Sequence, residues 1–340
     1  MKYILLPKPD TIHQLPFYFA VEEYVARHYT DDDYFIGWRV NPTVMLGRNQ
    51  LIDNEVNTDY CKEHKIDIFR RKSGGGCIYA DKGCIQFSYI SRSVNANEAF
   101  AAYMQRMADL LKGLKIDAQL SGRNDILIDG TKVSGCAFYQ LSNRSVLHNS
   151  LLFDTQLDHL SNTLTPAKEK LQSKGVASVR QRVTNVATYT QLDILAFMDY
   201  VRQEMCGTEV LELTEEDMKG VAEIEKELAS DDFVYGKNPK YSLVRKHRFE
   251  GVGTLEAHIE LKNNIIGSIN MVGDYFLLGD IDHDFLNLLK GCKFTREAVE
   301  EILQSIDLST IIRGLKLRQF LRLLFGREPH VMKPEWLKID

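Results

Sequence analysis

Several features that would place this chain in a special class are scarce or missing. Proline and glycine are few, 8 and 22 in 340 residues, which excludes a collagen-like or disordered chain. The 6 cysteines include no C-x-x-C pair, so the sequence favours reduced thiols in a cytosol over disulfides or a zinc site.

Positive charge and long apolar runs are missing as well. The chain has 42 Lys and Arg against 47 Asp and Glu, a net charge of −5, and no basic run of the kind that follows a phosphate backbone. No segment reaches the ~18–20 apolar residues of a membrane span, and the apolar stretch behind Met1 is too short for a secretory signal. We therefore expect a cytoplasmic protein with neither nucleic acid nor a membrane as partner.

The fold class follows from length and pattern. A chain of 340 residues corresponds to about two domains at roughly 150 residues each. The sequence turns polar around 231–240, which predicts a linker and a division into domains 1–243 and 244–340. We predict an α+β fold of mostly antiparallel mixed sheets packed by helices, followed by a small α+β domain.

Periodicity predicts the individual elements. In the first domain we expect helices from Pro16 to Tyr29 and from an Asn97 cap to Gly113, and strands at 67–71 and 77–79. The second domain is predicted to contain a one-sided strand with Leu255, Ala257, Ile259 and Leu261 facing inward, a turn at Asn263-Asn264, a strand at 265–269, and helices at 295–305 and 309–325.

The first motif that indicates chemistry is R-R-K-S-G-G-G-C-I-Y, residues 70–79. Three glycines allow backbone N–H groups to converge on an anion, and three cationic side chains precede them. A strand and not a helix follows, which excludes a Walker or Rossmann phosphate loop. The alternative is a flexible hairpin with a basic flank.

The second motif is S-G-R-N-D-I-L-I-D-G-T-K-V-S-G, residues 121–135. Asp129-Gly130 between two β-branched runs predicts a two-residue hairpin that pairs Leu127 with Lys132 and Asp125 with Ser134. In that register Asp125 and Lys132 form a diagonal pair on one face, roughly 7–8 Å apart at Cβ, with room for a metal-bound phosphate. A surface salt bridge is the alternative. The isolated His148 and the Arg180 and Arg182 pair are equally consistent with structural or solvated positions.

Taken in order, these motifs resemble the lipoate–protein ligase A family. The resemblance rests on R-R-K-S-G-G-G, S-G-R-N-D, K-V-S-G, H-x-x-L-L and K-G-x-x-S-V-R-x-R-V, and on F-x-x-A-V-E-E from Phe17 and W-R-x-x-x-T-V-x-x-G-R from Trp38. It covers residues 15–190 closely. It implies a class II synthetase-like biotin/lipoate ligase fold, with a catalytic domain at 1–243 and an accessory domain at 244–340.

The resemblance also implies an activity. Members of the family activate lipoate with ATP to lipoyl-AMP and pyrophosphate, and then transfer the lipoyl group to a lysine of a lipoyl-acceptor domain. ATP and Mg²⁺ are the implied cofactors. The implied acceptors are the acyltransferase subunits of 2-oxoacid dehydrogenases and the glycine-cleavage H protein.

Site residues are carried over by matching positions. The catalytic residue is Lys132, which also contacts lipoate. Nucleotide-binding positions are Arg71, Gly74, Gly75, Gly76, Cys77, Ile78, Tyr79 and Lys132. By charge and position, we add Asn124 and Asp125 for the phosphates, with Asp125 as the metal ligand. Lipoate-binding positions are Trp38, Glu22, Arg70 and His148, although Trp38 is also consistent with plain core. Residues 166–185 match a loop that folds over the adenylate.

Two other functions stay open. Transferases on the same fold use a cysteine nucleophile, normally just before the lysine motif, where this chain has none; Cys136 follows Lys132 instead. A binding protein that has lost its activity is the second. The chain departs from the family pattern at Cys84, Cys136 and the Asn149-Ser150 pair, which places acyl preference in question.

Overall fold

The computed structural model describes residues 1–9, 11–50, 52–121, 124–141, 143–164, 183–235, 243–262 and 264–326, apart from the side chains of 53 and 54. Arg123, Arg180, Arg182 and most of the predicted 166–185 loop lie outside these residues, as do positions 236–240 of the predicted linker.

The chain divides into two compact units. The larger comprises Met1–Lys240 with Gly273–Leu278, and the smaller comprises Tyr241–Val272 with Gly279–Asp340. The larger unit therefore includes a short segment that lies late in the sequence. The assignment of a catalytic role to residues 1–243 and an accessory role to 244–340 stays a prediction.

The larger unit is built on β-sheets. Its strands are β1 (Lys2–Leu5), β2 (Tyr34–Trp38), β3 (Thr43–Leu46), β4 (Asp67–Arg70), β5 (Ile78–Ala80), β6 (Cys84–Ser91), β7 (Ala118–Ser121), β8 (Asp125–Ile128), β9 (Thr131–Leu141), β10 (Arg144–Leu152) and β11 (Val210–Glu212). Among the described residues, eight of them form one sheet in the order β11-β1-β2-β6-β10-β9-β8-β7. β1 is parallel to β2 and to β11, while the pairs from β2 through β7 are antiparallel. The predicted mixed, mostly antiparallel sheet is thereby confirmed.

A smaller sheet of order β4-β3-β5 holds the glycine motif. β3 is parallel to β4 and antiparallel to β5, so β4 and β5 are both neighbours of β3 and do not pair with each other. The alternative of a flexible hairpin is therefore wrong for residues 70–79.

Helices pack against both sheets. They are α1 (Leu15–His28), α2 (Ile52–Glu55), α3 (Thr58–Glu63), α4 (Ala96–Gly113), α5 (Leu157–Thr163), α6 (Ile194–Cys206), α7 (Glu215–Leu228) and α8 (Asp231–Tyr235). Because alternate strand residues point to opposite faces, Ile36 packs with α1 in one core and Phe35 packs with α4 and α6 in the other.

Two local predictions are wrong. Asn95, not Asn97, caps α4, because its side chain accepts from the backbone N–H of Glu98, three residues along. Residues 231–235, predicted as part of a linker, form the short helix α8 and bury Val234.

Asp217 anchors α7 to α1 and provides a stability prediction. It forms a capping box with Thr214 and accepts hydrogen bonds from the hydroxyls of Tyr24 (2.9 Å) and Tyr29 (3.0 Å). Burial alone would raise the pKa of Asp217, but these hydrogen bonds outweigh burial and lower it. A depressed folded-state pKa contributes stability at neutral pH that is lost as the pH falls through it.

We expect Asp217→Asn to lower the unfolding free energy at pH 7 by about 1–2 kcal/mol, the scale of a lost helix cap. The difference from wild type should shrink in acid, where Asp217 itself is protonated. Glu216→Gln, at an exposed neighbouring position, is the matched control in urea unfolding at both pH values. A pH-independent difference would contradict the role given to the carboxylate.

The smaller unit has a three-stranded sheet with strand order β12-β13-β14 among its described residues, formed by β12 (Leu243–Phe249), β13 (Gly253–Lys262) and β14 (Ile265–Asp274). Its helices are α9 (Arg296–Leu303) and α10 (Leu317–Phe325), with single 3₁₀ turns at Leu286–Leu289 and Leu308–Thr310. β13, β14 and the first helix were predicted, whereas β12 was not. The helix predicted at 309–325 is wrong, because Gly314 at φ +76° separates the 3₁₀ turn from α10.

β13 is less one-sided than predicted. Glu256 and His258, expected at the surface, are both 8% exposed. Glu256 lies 2.7 Å from His258 Nε2 and 3.0 Å from Lys246 Nζ, and this pairing accounts for a buried carboxylate.

Within the described residues, no helix is both long and apolar enough to cross a membrane.

Candidate functional site

The glycine loop between β4 and β5 packs tightly against neighbouring backbone. A β-carbon at Gly74 would lie 2.2 Å from the Tyr275 carbonyl oxygen, and one at Gly47 would lie 2.1 Å from that of Gly75. Gly75 has φ +88° and donates its N–H to Tyr275 O at 2.8 Å. These glycines are thus needed for chain packing in addition to any ligand contact.

The three cations before the glycines are engaged inside the protein. Arg71 donates to the carbonyls of Met45, Gly74 and Gly76 and to Ser73 Oγ, so its guanidinium holds the shape of the loop. Burial lowers the pKa of Arg71 to about 10, which leaves it charged at neutral pH.

Arg70 donates to four carbonyls, those of Gly47, Arg48, Gln50 and Val234. Lys72 lies 2.5 Å from the buried carboxylate of Glu23 on α1. These contacts favour a structural role for Arg70; its lipoate-binding role stays a prediction.

A buried chain of hydrogen bonds connects the glycine loop to Trp38. Ser73 Oγ lies 2.6 Å from His148 Nε2, and His148 Nδ1 lies 3.3 Å from Glu22 Oε2. Ser88 donates to the other Glu22 oxygen and accepts from Trp38 Nε1 at 2.8 Å. The chain thus runs from Arg71 through Ser73, His148, Glu22 and Ser88 to Trp38.

The polarity of this chain can be assigned from its partners. Because the Glu22 carboxylate only accepts, the proton on His148 belongs on Nδ1. Nε2 then accepts from the Ser73 hydroxyl, whose oxygen accepts from Arg71 Nε. Every member is satisfied with a neutral imidazole, and such a fully paired network fixes the side chains around it.

Trp38 lies between aromatic side chains of α1. Its ring stacks on Tyr18 with centroids 4.5 Å apart and meets Phe19 edge-on at 5.9 Å. It is buried, so the structure agrees both with an acyl-slot wall and with plain core.

The hairpin forms at the predicted turn, and its register changes after the first two residue pairs. Asp129 and Gly130 have φ +50° and +72°, and Leu127 pairs with Lys132 as predicted. A β-bulge then places Asp125 opposite Gly135, so the predicted pairing with Ser134 is wrong. Lys132 Nζ lies 2.7 Å from Asp125 Oδ1, which replaces the open gap that we expected.

Strand register brings Lys132 and the glycine loop to the same face of the sheet. The Lys132 ammonium lies about 3.0 Å from where a β-carbon of Gly135 would be, and Gly135 pairs with Ser150 on β10. Ser150 is two residues from His148, which contacts Ser73 of the loop. At ~3.3 Å per residue, only about 7 Å of strand separates these positions.

The remaining predicted positions lie on the small sheet and at the start of β8. Ile78 and Tyr79 are in β5, and Cys77 precedes it. Asn124 donates from Nδ2 to the Cys136 carbonyl at 2.9 Å, which secures the start of β8.

Sequence reasoning missed several contributors. Ser73 and Gly135 lie within the motifs at 70–79 and 121–135, and Ser88 lies in β6. A polar or small residue on the site face was the sequence signal that could have identified them. The Gly273–Leu278 segment carried no signal. Phe276 is buried, stacks on Phe138 at 5.5 Å, and lies about 3.1 Å from where a β-carbon of Gly75 would be.

The departures from the family pattern lie on both faces of the large sheet. Cys136 and Asn149 alternate with Ala137 and His148, so they point to the opposite face; Asn149 accepts from Tyr103 of α4 there. Cys84 is on the site face, with Gln86 Nε2 at 3.1 Å from its sulfur.

Comparison with known proteins matches both units. Residues 15–206 match the lipoyl protein ligase A/B catalytic domain, and residues 238–324 match the bacterial lipoate protein ligase C-terminus. The lipoate-protein ligase LplJ of Bacillus subtilis is 32% identical over 317 residues, covering 90% of this chain and 95% of that protein. Lipoate–protein ligase 1 of Staphylococcus aureus is 34% identical with the same coverage.

Solved structures show the same fold. The lipoate complex of Plasmodium falciparum LipL1 has a TM-score of 0.72 at 18% identity and covers 94% of this chain and 96% of its own. A lipoate-protein ligase A bound to ATP has a TM-score of 0.60 at 23% identity, covering 69% and 98%. A bipartite ligase of Thermoplasma acidophilum, described with its E2 lipoyl domain, has a TM-score of 0.61 at 24% identity, covering 71% and 98%.

Proposed function

Because the chain belongs to the lipoate–protein ligase family, we propose that it activates lipoate with ATP and transfers the lipoyl group to protein lysines. The observation that carries this proposal is the register that places Lys132 and the glycine loop on one sheet face, joined to Trp38 through His148 and Glu22. An acyl slot, a cation and a nucleotide loop are the parts that acyl-adenylate formation requires.

In the first half-reaction the lipoate carboxylate attacks the α-phosphorus of ATP. A carbon-bound oxygen joins phosphorus, the bond between the α-phosphorus and its bridging oxygen breaks, and pyrophosphate leaves. No enzyme nucleophile is needed, so catalysis consists of positioning and charge neutralisation. Lys132 would neutralise the negative charge that gathers between carboxylate and phosphate, and the loop shaped by Arg71 would hold the nucleotide.

In the second half-reaction the amine of an acceptor lysine attacks the acyl carbon. An amide forms, AMP leaves with the electrons of the acyl–oxygen bond, and the amine loses a proton. Lys132 would stabilise the oxyanion that develops on the carbonyl oxygen, as a preorganised cation does in acyl transfer.

The residues present fit a single Mg²⁺ bound mainly through phosphates. Within the described part of the chain, no cluster of three or more His, Cys, Asp or Glu side chains forms a complete metal site. Asp125 Oδ1 is buried without a hydrogen bond of good geometry, beside Lys132. Mg²⁺ is commonly held by one or two carboxylates together with substrate phosphates. Asp125, assisted by Asn124, would supply that ligand, and the ion would screen phosphate charge.

We propose lipoyl domains of acyltransferase subunits and the H protein as acceptors, and the cytoplasm as the location. The family resemblance supports the acceptors. Cys61, Cys77, Cys84, Cys206 and Cys292 have free thiols, which supports a reducing compartment.

The transferase alternative needs a reactive thiol. Burial raises the pKa of five of the six thiols, those of Cys61, Cys77, Cys84, Cys206 and Cys292. The sixth, Cys136, is buried on the sheet face opposite His148. A thiolate nucleophile requires the opposite environment.

Lipoate-dependent exchange of labelled pyrophosphate into ATP tests the proposal. The ligase gives exchange, whereas a transferase or an inactive binding protein gives none. Exchange that does not depend on lipoate would overturn the assignment of the acid.

Trp38→Val tests the acyl slot. Removing the indole leaves a void beside Tyr18, and we expect bulkier carboxylic acids to be adenylated faster relative to lipoate. The variant should also lose about 2–4 kcal/mol of stability, since it leaves Ser88 without its indole donor. Phe35→Val, which also truncates a buried aromatic side chain but on the opposite face of β2, is the control and should not alter acid selectivity. Unchanged acid selectivity in folded Trp38→Val would identify Trp38 as core.

A further inference from the structure

The smaller unit contains a cleft lined by arginines. Arg248 of β12, Arg296 at the start of α9, and Arg318 and Arg322 of α10 converge on a space of about 480 Å³. That volume is within the ~300–1,000 Å³ typical of ligand sites. The proposed catalytic mechanism uses none of these residues.

Cationic side chains are segregated onto two elements. Arg248 of β12 and Arg318 and Arg322 of α10 line the cleft, and neither element contains an acidic residue. One acid, Glu250, lines the cleft. Segregation of this kind creates a local positive potential in a chain whose net charge is −5.

Part of the cleft is held in place. Arg296 donates to the carbonyl of Gly326 at 2.9 Å, and its guanidinium lies 5.8 Å over the Phe325 ring. Arg248 donates to Thr254 Oγ1 at 3.2 Å. Side chains ordered before binding lose less rotamer freedom when a ligand arrives, and guanidinium groups match the planar geometry of carboxylates.

We infer that this cleft docks an acidic segment of the acceptor protein. The inference rests on the proposed function, which requires a protein substrate. An extended segment fits better than a small anion, because the four guanidinium groups that line the cleft come from three elements, with Arg318 and Arg322 one helical turn apart on α10. A single phosphate cannot contact this whole surface.

The double variant Arg318→Glu/Arg322→Glu tests docking in the full-length chain. With preformed lipoyl-AMP and a recombinant apo lipoyl domain, we expect KM for the domain to rise by about tenfold or more, with lipoate-dependent pyrophosphate exchange unchanged. Arg318→Gln/Arg322→Gln should give an intermediate KM. Lys290→Glu/Lys293→Glu, the same charge change at exposed positions outside the cleft, should behave as wild type.

Poly-L-glutamate identifies the ligand chemistry. It should raise the wild-type KM for the domain and leave that of the Glu double variant unchanged. Added salt should raise the KM for the domain in the wild type only. Competition by inorganic phosphate at equal charge concentration would make the cleft a small-anion site and overturn the inference. If the Glu double variant has an unchanged KM for the domain and normal pyrophosphate exchange, the docking inference is overturned and the proposed function is not. If the variant loses pyrophosphate exchange as well, the arginines act in folding or adenylation, and the docking inference is again overturned. Absence of wild-type exchange overturns both proposals.

Discussion

Replacing Lys132 by methionine is expected to slow lipoyl-AMP formation by a factor on the order of 10² or more, the scale of losing one preorganised electrostatic contact. The ammonium lies above Gly135, on the sheet face shared with His148 and the glycine loop, where the proposed mechanism has charge develop in both half-reactions. Transfer from presynthesised lipoyl-AMP should therefore fall too. The two steps are measured separately, by pyrophosphate exchange and by acceptor lipoylation.

Folding should change little in this variant. Lys132 and Asp125 are 37% and 34% exposed, and an ion pair at that exposure contributes less than about 1 kcal/mol. Lys112→Met, which removes a comparable lysine–aspartate contact on α4, is the control. Near-normal rates in both half-reactions would show that the Lys132–Asp125 pair is a surface salt bridge.

The sequence predicted the elements whose chemistry is local. Asp129 and Gly130 both tolerate positive φ, so their adjacency between β-branched runs was enough to locate the turn. The bulge beyond it was not predictable, because Val133, the unpaired residue on β9, is not a residue type that marks a bulge. That one-residue shift changed the partner of Asp125 and closed the expected gap.

Long-range pairing explains the other differences. Glu256 and His258 fit the polar half of an alternating strand, but they are buried because they pair with each other and with Lys246. Arg70 and Arg71 were predicted to face a ligand; their contacts with backbone carbonyls depend on the fold of β3 and of the loop after it. A pattern shows which residues are charged and does not show which charges are already compensated.

The hydrogen-bond chain from Arg71 to Trp38 connects predicted site positions that lie in separate sequence motifs. Its members come from α1, β2, β6, β10 and the glycine loop, so the positions predicted to bind the acyl chain and the nucleotide share one buried network. A displaced Ser73 would leave His148 Nε2 without its donor, and buried polar groups without partners are costly. The shape of the glycine loop and the position of Trp38 are therefore coupled in energy.

Gly74→Ala and Gly76→Ala should separate two reasons for glycine in this loop: packing against neighbouring backbone and close approach to the nucleotide. A β-carbon at position 74 would meet the Tyr275 carbonyl oxygen at 2.2 Å, so backbone must move. We expect Gly74→Ala to lose about 2–3 kcal/mol of stability, the range for overpacking, and to lose adenylation with it. At position 76 the nearest atoms belong to Asp274, 3.8 Å away, which is ordinary contact.

Gly76→Ala should therefore unfold within about 0.5 kcal/mol of wild type, as a compatible substitution does. If the loop backbone approaches the nucleotide as the family resemblance implies, that folded variant will still bind ATP poorly, because its new methyl group occupies the space of the phosphates. Urea unfolding and the KM for ATP in pyrophosphate exchange, measured on both variants, give the comparison. A folded Gly76→Ala enzyme with a normal KM for ATP would show that the third glycine does not approach the nucleotide, and a stable Gly74→Ala protein would contradict the packing against Tyr275.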